Sequence, residues 1–302
     1  MLTCALIGYG YWGRILEKYI DADNELSLKY IYAPSLKNGI EIEYIAKDKD
    51  ISCVFICTPI ETHYDLARFF LLHNKHVFCE KPLSKRNSEI DSLMCLAKEN
   101  HLSLYTDYIY TVSKSIQFIQ ENLHTIGKVT GIKGKIKQFG NFYANDDVYS
   151  VLSVHLFSAI LYILKIKNLT KIQVLEELVY KKFNELIISS SLILELNDSI
   201  NISLESSLTA IKKERTIEID GEKGIILFDM LGNPTVLLQE QEQEDKGFKI
   251  SNTKEVFYDE TNNLSSALHN FKEVVMWDSS LLLENMNISR MVTNILEELA
   301  KE

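Results

Sequence analysis

The chain opens on Cys4-Ala5-Leu6-Ile7, continues into Gly8-Tyr9-Gly10-Tyr11-Trp12-Gly13, and then runs through Arg14-Ile15-Leu16-Glu17-Lys18-Tyr19-Ile20. This order constrains the fold more than any other feature. An apolar run reads as a buried strand, and the segment after the glycines has helical apolar spacing. A G-x-G-x-x-G points to a dinucleotide site only when it sits between a strand and a helix. Each glycine has its own task there. Gly8 makes the tight turn, Gly10 leaves its backbone open to a pyrophosphate, and Gly13 lets the helix pack close to the strand. The helix start adds unpaired N–H groups and the positive end of its dipole. The alternative is a glycine-rich turn with no ligand. The strand–turn–helix context favours a dinucleotide site, with Gly8, Tyr9, Gly10, Tyr11, Trp12 and Gly13 as its cofactor-binding loop.

The following segments extend that pattern. Strands are expected over Leu26 to Tyr32, Ile51 to Cys57, His76 to Cys79 and Leu102 to Tyr105, with helices over 61–74 and 84–100. Strands alternating with helices at this spacing describe a doubly wound parallel sheet, in which ligands sit beyond the carboxyl ends of the strands. Ala33 to Lys37, Thr58 to His63 and Glu80 to Pro82 all fall at such ends, as the glycine loop does. In an NAD-binding unit an acid about 20 residues past the glycines holds the ribose 2′-hydroxyl. The corresponding stretch, Ala33-Pro34-Ser35-Leu36-Lys37, has no carboxylate. Ser35 and Lys37 suit a 2′-phosphate, so NADP is expected in preference to NAD.

The regular alternation stops near Asp107. A helix over 113–124 and a turn at Gly127 lead into strand-like segments at 129–139, 171–180, 186–196, 200–208, 215–221, 224–229 and 235–239. An apolar helix carrying His155 interrupts this series. The charged stretch 239–246 reads as a hairpin tip, and 264–276 and 279–299 read as terminal helices. The expected architecture is α/β: an N-terminal Rossmann domain over 1–107, joined to an α+β domain over 108–302 with an open, mainly antiparallel sheet. Few helices accompany the apolar strands after Lys171, so the second sheet is expected to need cover, by helices or a partner. Self-association as a homodimer or homotetramer is the expected source.

Composition excludes several classes of function. A net charge of −10 over 302 residues argues against a nucleic-acid surface. The N-terminus lacks a basic-then-apolar leader, and the longest apolar segment, 151–166, is too short and too polar to span a bilayer. The five cysteines are odd in number and form no C-x-x-C. Buried free thiols in a reducing cytoplasm are expected, with no metal site.

At Glu80-Lys81-Pro82 the chain resembles the glucose–fructose oxidoreductase / inositol dehydrogenase (Gfo/Idh/MocA) family. Four stretches carry the resemblance: Gly8 to Gly13, Cys57-Thr58-Pro59-Ile60-Glu61-Thr62-His63, Glu80-Lys81-Pro82-Leu83, and Arg215 to Gly224. It is strong over the first 130 residues and loose thereafter. The resemblance implies hydride transfer between a nicotinamide and a carbon of a sugar, nucleotide-sugar or cyclitol. It assigns the catalytic lysine to Lys81, whose ammonium stabilises developing negative charge and relays a proton. It places Thr58 and Pro59 against the cofactor, assigns Glu80 either to position Lys81 or to contact the cofactor, leaves His63 as a cofactor contact or a residue that caps or packs its helix, and implies a cis bond before Pro82. His155 matches the histidine of the family's Asp-x-x-x-His, as acid/base or substrate ligand. The aspartate position holds Val151, and a further frequent aspartate is Ser158. Tyr108, Tyr110 and Tyr149 are candidate replacement hydroxyls near the substrate, and Asp146 and Asp147 lie in a loop nearby. Two rival readings remain: an imine or other C=X reductase, and a nucleotide-binding sensor without turnover.

Overall fold

The structure is a computed structural model that describes all residues except 37–39, 141, 143–144, 183–184, 198–199, 245–246, 277–278 and 302. The chain divides into two compact units, residues 1–109 with 262–297 and residues 110–261 with 298–302.

The first unit begins β1 (Leu2–Ile7), α1 (Tyr11–Asp21), β2 (Leu26–Tyr32), α2 (Ile42–Lys47), β3 (Cys53–Ile56), α3 (His63–Leu72), β4 (His76–Cys79), α4 (Asn87–Glu99) and β5 (Leu104–Thr106). Its five strands are all parallel in the order β2-β1-β3-β4-β5. Because crossover helices cover both faces, the central strands read as unbroken apolar runs. Cys4 to Ile7 and Cys53 to Ile56 have no exposed surface. On one face, Ala5, Ile7, Val54, Ile56 and Val77 pack with Ala67, Phe70 and Leu71 of α3 and with Ile90 and Leu93 of α4.

The second unit contains α5 (Lys114–Asn122), β6 (Val129–Phe139), a π-helical turn (Tyr149–Ser153) and α6 (Val154–Ile163). Then follow β7 (Ile172–Lys182), β8 (Leu186–Leu196), β9 (Ile200–Ser207), β10 (Thr209–Gly221), β11 (Gly224–Asp229), β12 (Val236–Glu244) and β13 (Gly247–Val256). They form one eight-stranded sheet, β13-β12-β11-β10-β6-β9-β8-β7, antiparallel except between β6 and β9. The charged stretch near 239–246 belongs largely to β12, which pairs with a further strand, β13, that the sequence pattern did not reveal. Every residue of β13 but the last is exposed, and its apolar alternation is brief, Phe248 and Ile250 followed by the polar run 251–255.

α5 and α6 pack against β11 and β6 on the sheet's apolar face. That face therefore has cover from its own helices, where the sequence allowed either helices or a partner. The outward rows are ionic. Lys133 Nζ lies 2.7 Å from Glu218 and 3.3 Å from Asp220, and Lys135 lies 3.2 Å from Glu205, which also pairs with Lys137.

The terminal helices α7 (Asn263–Met276) and α8 (Ser279–Leu299) were expected with the second domain, yet 262–297 groups with the first unit. Aromatic packing gives the reason. The Phe271 ring of α7 sits 5.5 Å from Phe55 and 5.5 Å from Phe78, on the other face of the parallel sheet. Among the described residues no helix is long and apolar enough to cross a membrane.

Candidate active site

Strand order reverses direction between β1 and β3, and crevices at such switch points hold ligands in open α/β sheets. The glycine loop leaves β1 at this point, and Thr58 follows β3 beside it. Gly8 has φ +101°, and a Cβ there would meet the Cys57 carbonyl oxygen at 2.6 Å and Thr58 Cγ2 at 2.9 Å. A Cβ on Gly13 would run into the Gly8 carbonyl oxygen. Gly10 differs from both. It is exposed, and nothing lies within 4 Å of the position its Cβ would take. Gly8 and Gly13 therefore build the loop, and Gly10 provides the opening over it.

α1 starts at this opening with no side-chain cap and no acid in its first turn. Its leading N–H groups are thus left for an anion, the arrangement a pyrophosphate requires. The loop fits a dinucleotide on this steric ground. Tyr9 is committed elsewhere: its hydroxyl donates to Glu17 Oε2 at 2.7 Å, and the Arg14 guanidinium lies 5.1 Å from its ring centroid. Tyr11 and Trp12 are exposed and meet edge to face at 5.8 Å. Past β2, Ala33 is buried and Ser35 is exposed, with no carboxylate at the strand end. Lys37 lies outside the described residues.

At the end of β4, the Lys81–Pro82 peptide bond is cis. Thr58 is half-buried with its hydroxyl bonded to Thr62 at 2.6 Å, and Pro59 is exposed. His63 takes its packing alternative, not a place against the cofactor. It is 1% exposed, with Nδ1 2.8 Å from the Pro82 carbonyl oxygen and Nε2 2.9 Å from the Thr58 carbonyl oxygen. A neutral imidazole donates to only one of these acceptors, whereas an imidazolium donates to both. With both ring nitrogens occupied by main chain, His63 ties the segment after β3 to the segment after β4. It shapes the site from behind.

Glu80 and Lys81 are half-buried, and Glu80 N–H donates to the Ile56 carbonyl at 2.8 Å. Desolvation raises the Glu80 carboxyl above its usual range, and the Lys81 charge pulls it back down. A third ionisable group, which the sequence pattern did not single out, joins them. Asp107 follows β5 directly, is 3% exposed, and donates its N–H to the Cys79 carbonyl at 2.9 Å. Burial pushes its carboxyl well above the usual range; Glu80 adds to the rise and Lys81 opposes it.

Tyr108 does not fit its expected substrate role. It is 1% exposed, and burial raises its phenol. It is a core residue of the first unit.

The second unit carries the other candidates. His155 is the one residue of α6 between Val154 and Leu161 that is not fully buried. Its ring lies 5.3 Å from that of Tyr110, whose phenol is pushed up to about 12, mainly by burial. Val151 and Ser158 are buried, and the Ser158 hydroxyl donates to the His155 carbonyl at 3.1 Å. Tyr149 is also drawn away from substrate: it is 3% exposed, and its hydroxyl is bonded to Glu177 and, at 2.8 Å, to Ser190. Asp147 caps the π-helical turn, accepting from the Ser150 N–H at 2.8 Å, and Asp146 is buried. Among the described residues no group of His, Cys, Asp or Glu is placed to hold a metal ion.

Residues 2–108 match the sequence model of the oxidoreductase family with an NAD-binding Rossmann fold, Gfo/Idh/MocA. The match is confined to this first domain, which is similar to the NAD-binding domain of the Gfo/Idh/MocA oxidoreductases. The chain is 26% identical over 157 residues to the scyllo-inositol 2-dehydrogenase (NADP(+)) of Bacillus subtilis (strain 168), a match covering 47% of this chain and 48% of that one. It is 23% identical over 227 residues to the myo-inositol 2-dehydrogenase of Thermotoga maritima, covering 70% of this chain and 67% of that one. Against two further curated oxidoreductases the match covers only 38% of their length. The solved UDP-N-acetylglucosamine 3-dehydrogenase of Acidithiobacillus ferrooxidans superposes with a TM-score of 0.80 at 16% identity, over 98% of this chain and 96% of that one. That likeness establishes the two-part fold.

Proposed function

We propose that the protein is an NADP(H)-dependent oxidoreductase acting on an alcohol or ketone carbon of a sugar, nucleotide-sugar or cyclitol. The observation that carries this reading is the convergence on one sheet edge of the open Gly10 position, the uncapped start of α1 and the Glu80-Lys81 pair. The glycine loop and the first turn of α1 would hold the pyrophosphate, with Thr58 and Pro59 alongside. When bound, the nicotinamide gives or takes the hydride. Lys81 supplies an ammonium to the reacting oxygen, stabilising negative charge there and holding the proton it exchanges. His155 is the second proton-exchanging group of this reading, half-buried with its ring tilted against that of Tyr110.

NADP is preferred because no carboxylate follows β2 and Ser35 is exposed there; the Bacillus subtilis relative is named for NADP(+). The substrate class follows the named relatives, which act on inositols or a nucleotide-sugar. The protein works in the cytoplasm, where its free thiols stay reduced, and it self-associates. Edge strand β7 supports association, because Leu178 and Tyr180 are 63% and 58% exposed on it and an apolar edge invites pairing.

A non-catalytic nucleotide sensor is the second reading, favoured by Val151 where the family carries a carboxylate. Calorimetric titration with NADPH and NADH, followed by nicotinamide absorbance over a panel of cyclitols, sugars and nucleotide-sugars, separates the two. Tight NADPH binding with turnover supports the enzyme. Binding with no turnover on any member of the panel supports the sensor, and tighter NADH binding refutes the cofactor assignment.

A further inference from the structure

Asp107 stands out among the described residues. β4 and β5 pair Val77 with Leu104, Phe78 with Tyr105 and Cys79 with Thr106. Continuing that register sets Glu80 opposite Asp107, and the bond from Asp107 N–H to the Cys79 carbonyl carries the ladder to this point. The end of β5 is held firmly. Asn285 of α8 accepts from the Thr106 N–H and donates to the Thr106 carbonyl, both at 2.8 Å, which replaces the missing neighbour strand at this edge. Ser289 adds a bond to the Thr106 hydroxyl at 2.9 Å. The chain thus fixes the residue after Thr106 in place, and that residue is a carboxylic acid, 3% exposed, whose Oδ1 is buried without a hydrogen-bond partner. Native proteins rarely leave a buried oxygen unpaired without a functional reason.

We propose that Asp107 is a positioning residue for Lys81: with Glu80 it forms a pair of carboxyls, sharing one proton, that governs the charge on the lysine ammonium. This rests on the reading of Lys81 as the catalytic group. The charges explain the arrangement. With all three groups ionised, two carboxylates would oppose one ammonium in a partly buried site, leaving a net negative charge. One proton held on the carboxyl pair removes that excess. The direction of both carboxyls, raised mainly by burial, agrees. The titratable groups around them are Lys81, the His63 ring on the Pro82 carbonyl, the Cys57 and Cys79 thiols, which the Glu80 charge reaches, and the buried Tyr108 phenol. The thiols and the phenol are themselves raised and stay neutral. The proton balance near Lys81 therefore lies among Glu80, Asp107, Lys81 and His63. As pH rises and the pair loses its proton, the second carboxylate holds Lys81 in its ammonium form.

The test uses the full chain without cofactor, so it does not depend on turnover. Asp107→Asn keeps the shape and removes the titration. Lys81 acetylation by an amine-specific reagent is followed peptide by peptide against pH, alongside urea unfolding at each pH. With Asp107 replaced, Lys81 loses the second carboxylate, so its acetylation should rise about threefold or more in the alkaline part of the pH series, where the wild-type pair has given up its proton, while other lysines are unchanged. The unfolding profiles carry a sign as well. A carboxyl raised in the folded state contributes stability below its unfolded value and loses it as pH rises through its folded value. The wild type should therefore lose ground against Asp107→Asn between pH 5 and pH 8. Unchanged Lys81 acetylation overturns the proposal, whatever the unfolding profiles show. Should Asp107→Asn fail to fold, infrared spectroscopy of the wild type decides: a protonated carboxyl band at pH 7 supports the shared proton, and its absence overturns it. If NADPH binding or turnover fails while Lys81 acetylation responds, the functional reading falls and the positioning role stands.

Discussion

Replacing Gly10 by alanine should separate binding from folding, and the contrast with Gly8 gives the magnitudes. At Gly8 an added methyl meets the Cys57 carbonyl oxygen at 2.6 Å and Thr58 Cγ2 at 2.9 Å, at a φ of +101°. Overpacking costs about 1–3 kcal/mol and the left-handed backbone roughly 1–2 kcal/mol more, so Gly8→Ala should destabilise by about 2–5 kcal/mol. Gly10 has φ −81°, which alanine adopts freely, and nothing within 4 Å of its Cβ position. It is the N-cap of α1, where alanine is roughly 0.5–1 kcal/mol worse than glycine. The stiffer unfolded chain returns about 0.4–1 kcal/mol. Gly10→Ala should therefore unfold in urea within about 0.5 kcal/mol of the wild type. Its methyl would occupy the space through which a pyrophosphate reaches the α1 N–H groups. NADPH affinity by calorimetry should fall about 10- to 100-fold, equivalent to roughly 1.4–2.7 kcal/mol. Wild-type affinity in a folded Gly10→Ala would refute the assignment of this loop to the phosphates. An unfolding cost as large as that of Gly8→Ala would refute the steric reasoning.

Other substitutions test the site's parts. Lys81→Ala should lower turnover by about 100-fold or more with NADPH affinity little changed, as loss of a preorganised charge does; unaltered turnover removes Lys81 from the reaction. His155→Ala should cost roughly 100-fold in turnover while its urea midpoint stays near the wild type, and full activity would leave it a packing residue. His63→Ala strands the Pro82 and Thr58 carbonyls and opens a buried cavity, so a loss of about 3–5 kcal/mol in urea unfolding is expected. A loss under 1 kcal/mol would show that the two carbonyls do not depend on the ring. Sedimentation at micromolar concentration should detect an oligomer that Leu178→Lys, on β7, shifts toward monomer; only monomer in the wild type counts against association.

Local patterns carried the reading of the first unit. Its strands are buried on both faces, so Cys4 to Ile7 and Cys53 to Ile56 appear as unbroken apolar runs, and the glycine spacing marks the turn between β1 and α1. The terminal helices were legible as helices, but their partner was not. Phe271 finds Phe55 and Phe78 only through contacts about two hundred residues apart, and no periodicity records such a pairing. β13 escaped because its residues are exposed on both sides. Tyr108 and Tyr149 could not be told from core residues in the sequence for a related reason. A tyrosine in sequence carries no sign of whether its hydroxyl faces a ligand or, like that of Tyr149, a serine and a glutamate of its own sheet.

His63 and Asp107 show where motif reading ends. His63 belongs to a recognisable T-P-x-x-x-H element, yet the motif does not tell whether the ring touches a ligand. Only its 1% exposure and two carbonyl contacts assign it to the scaffold. Asp107 has the reverse history. It lies where the regular alternation stops, and from sequence it marks little more than a domain edge. Its meaning comes from register: Cys79 pairs with Thr106, so the next residues on each strand bring Glu80 and Asp107 side by side. Two carboxyls one step beyond a parallel ladder cannot both ionise cheaply in a buried site, and Lys81 is the cation within reach. The acetylation of Lys81 in Asp107→Asn decides whether the lysine depends on this second carboxyl.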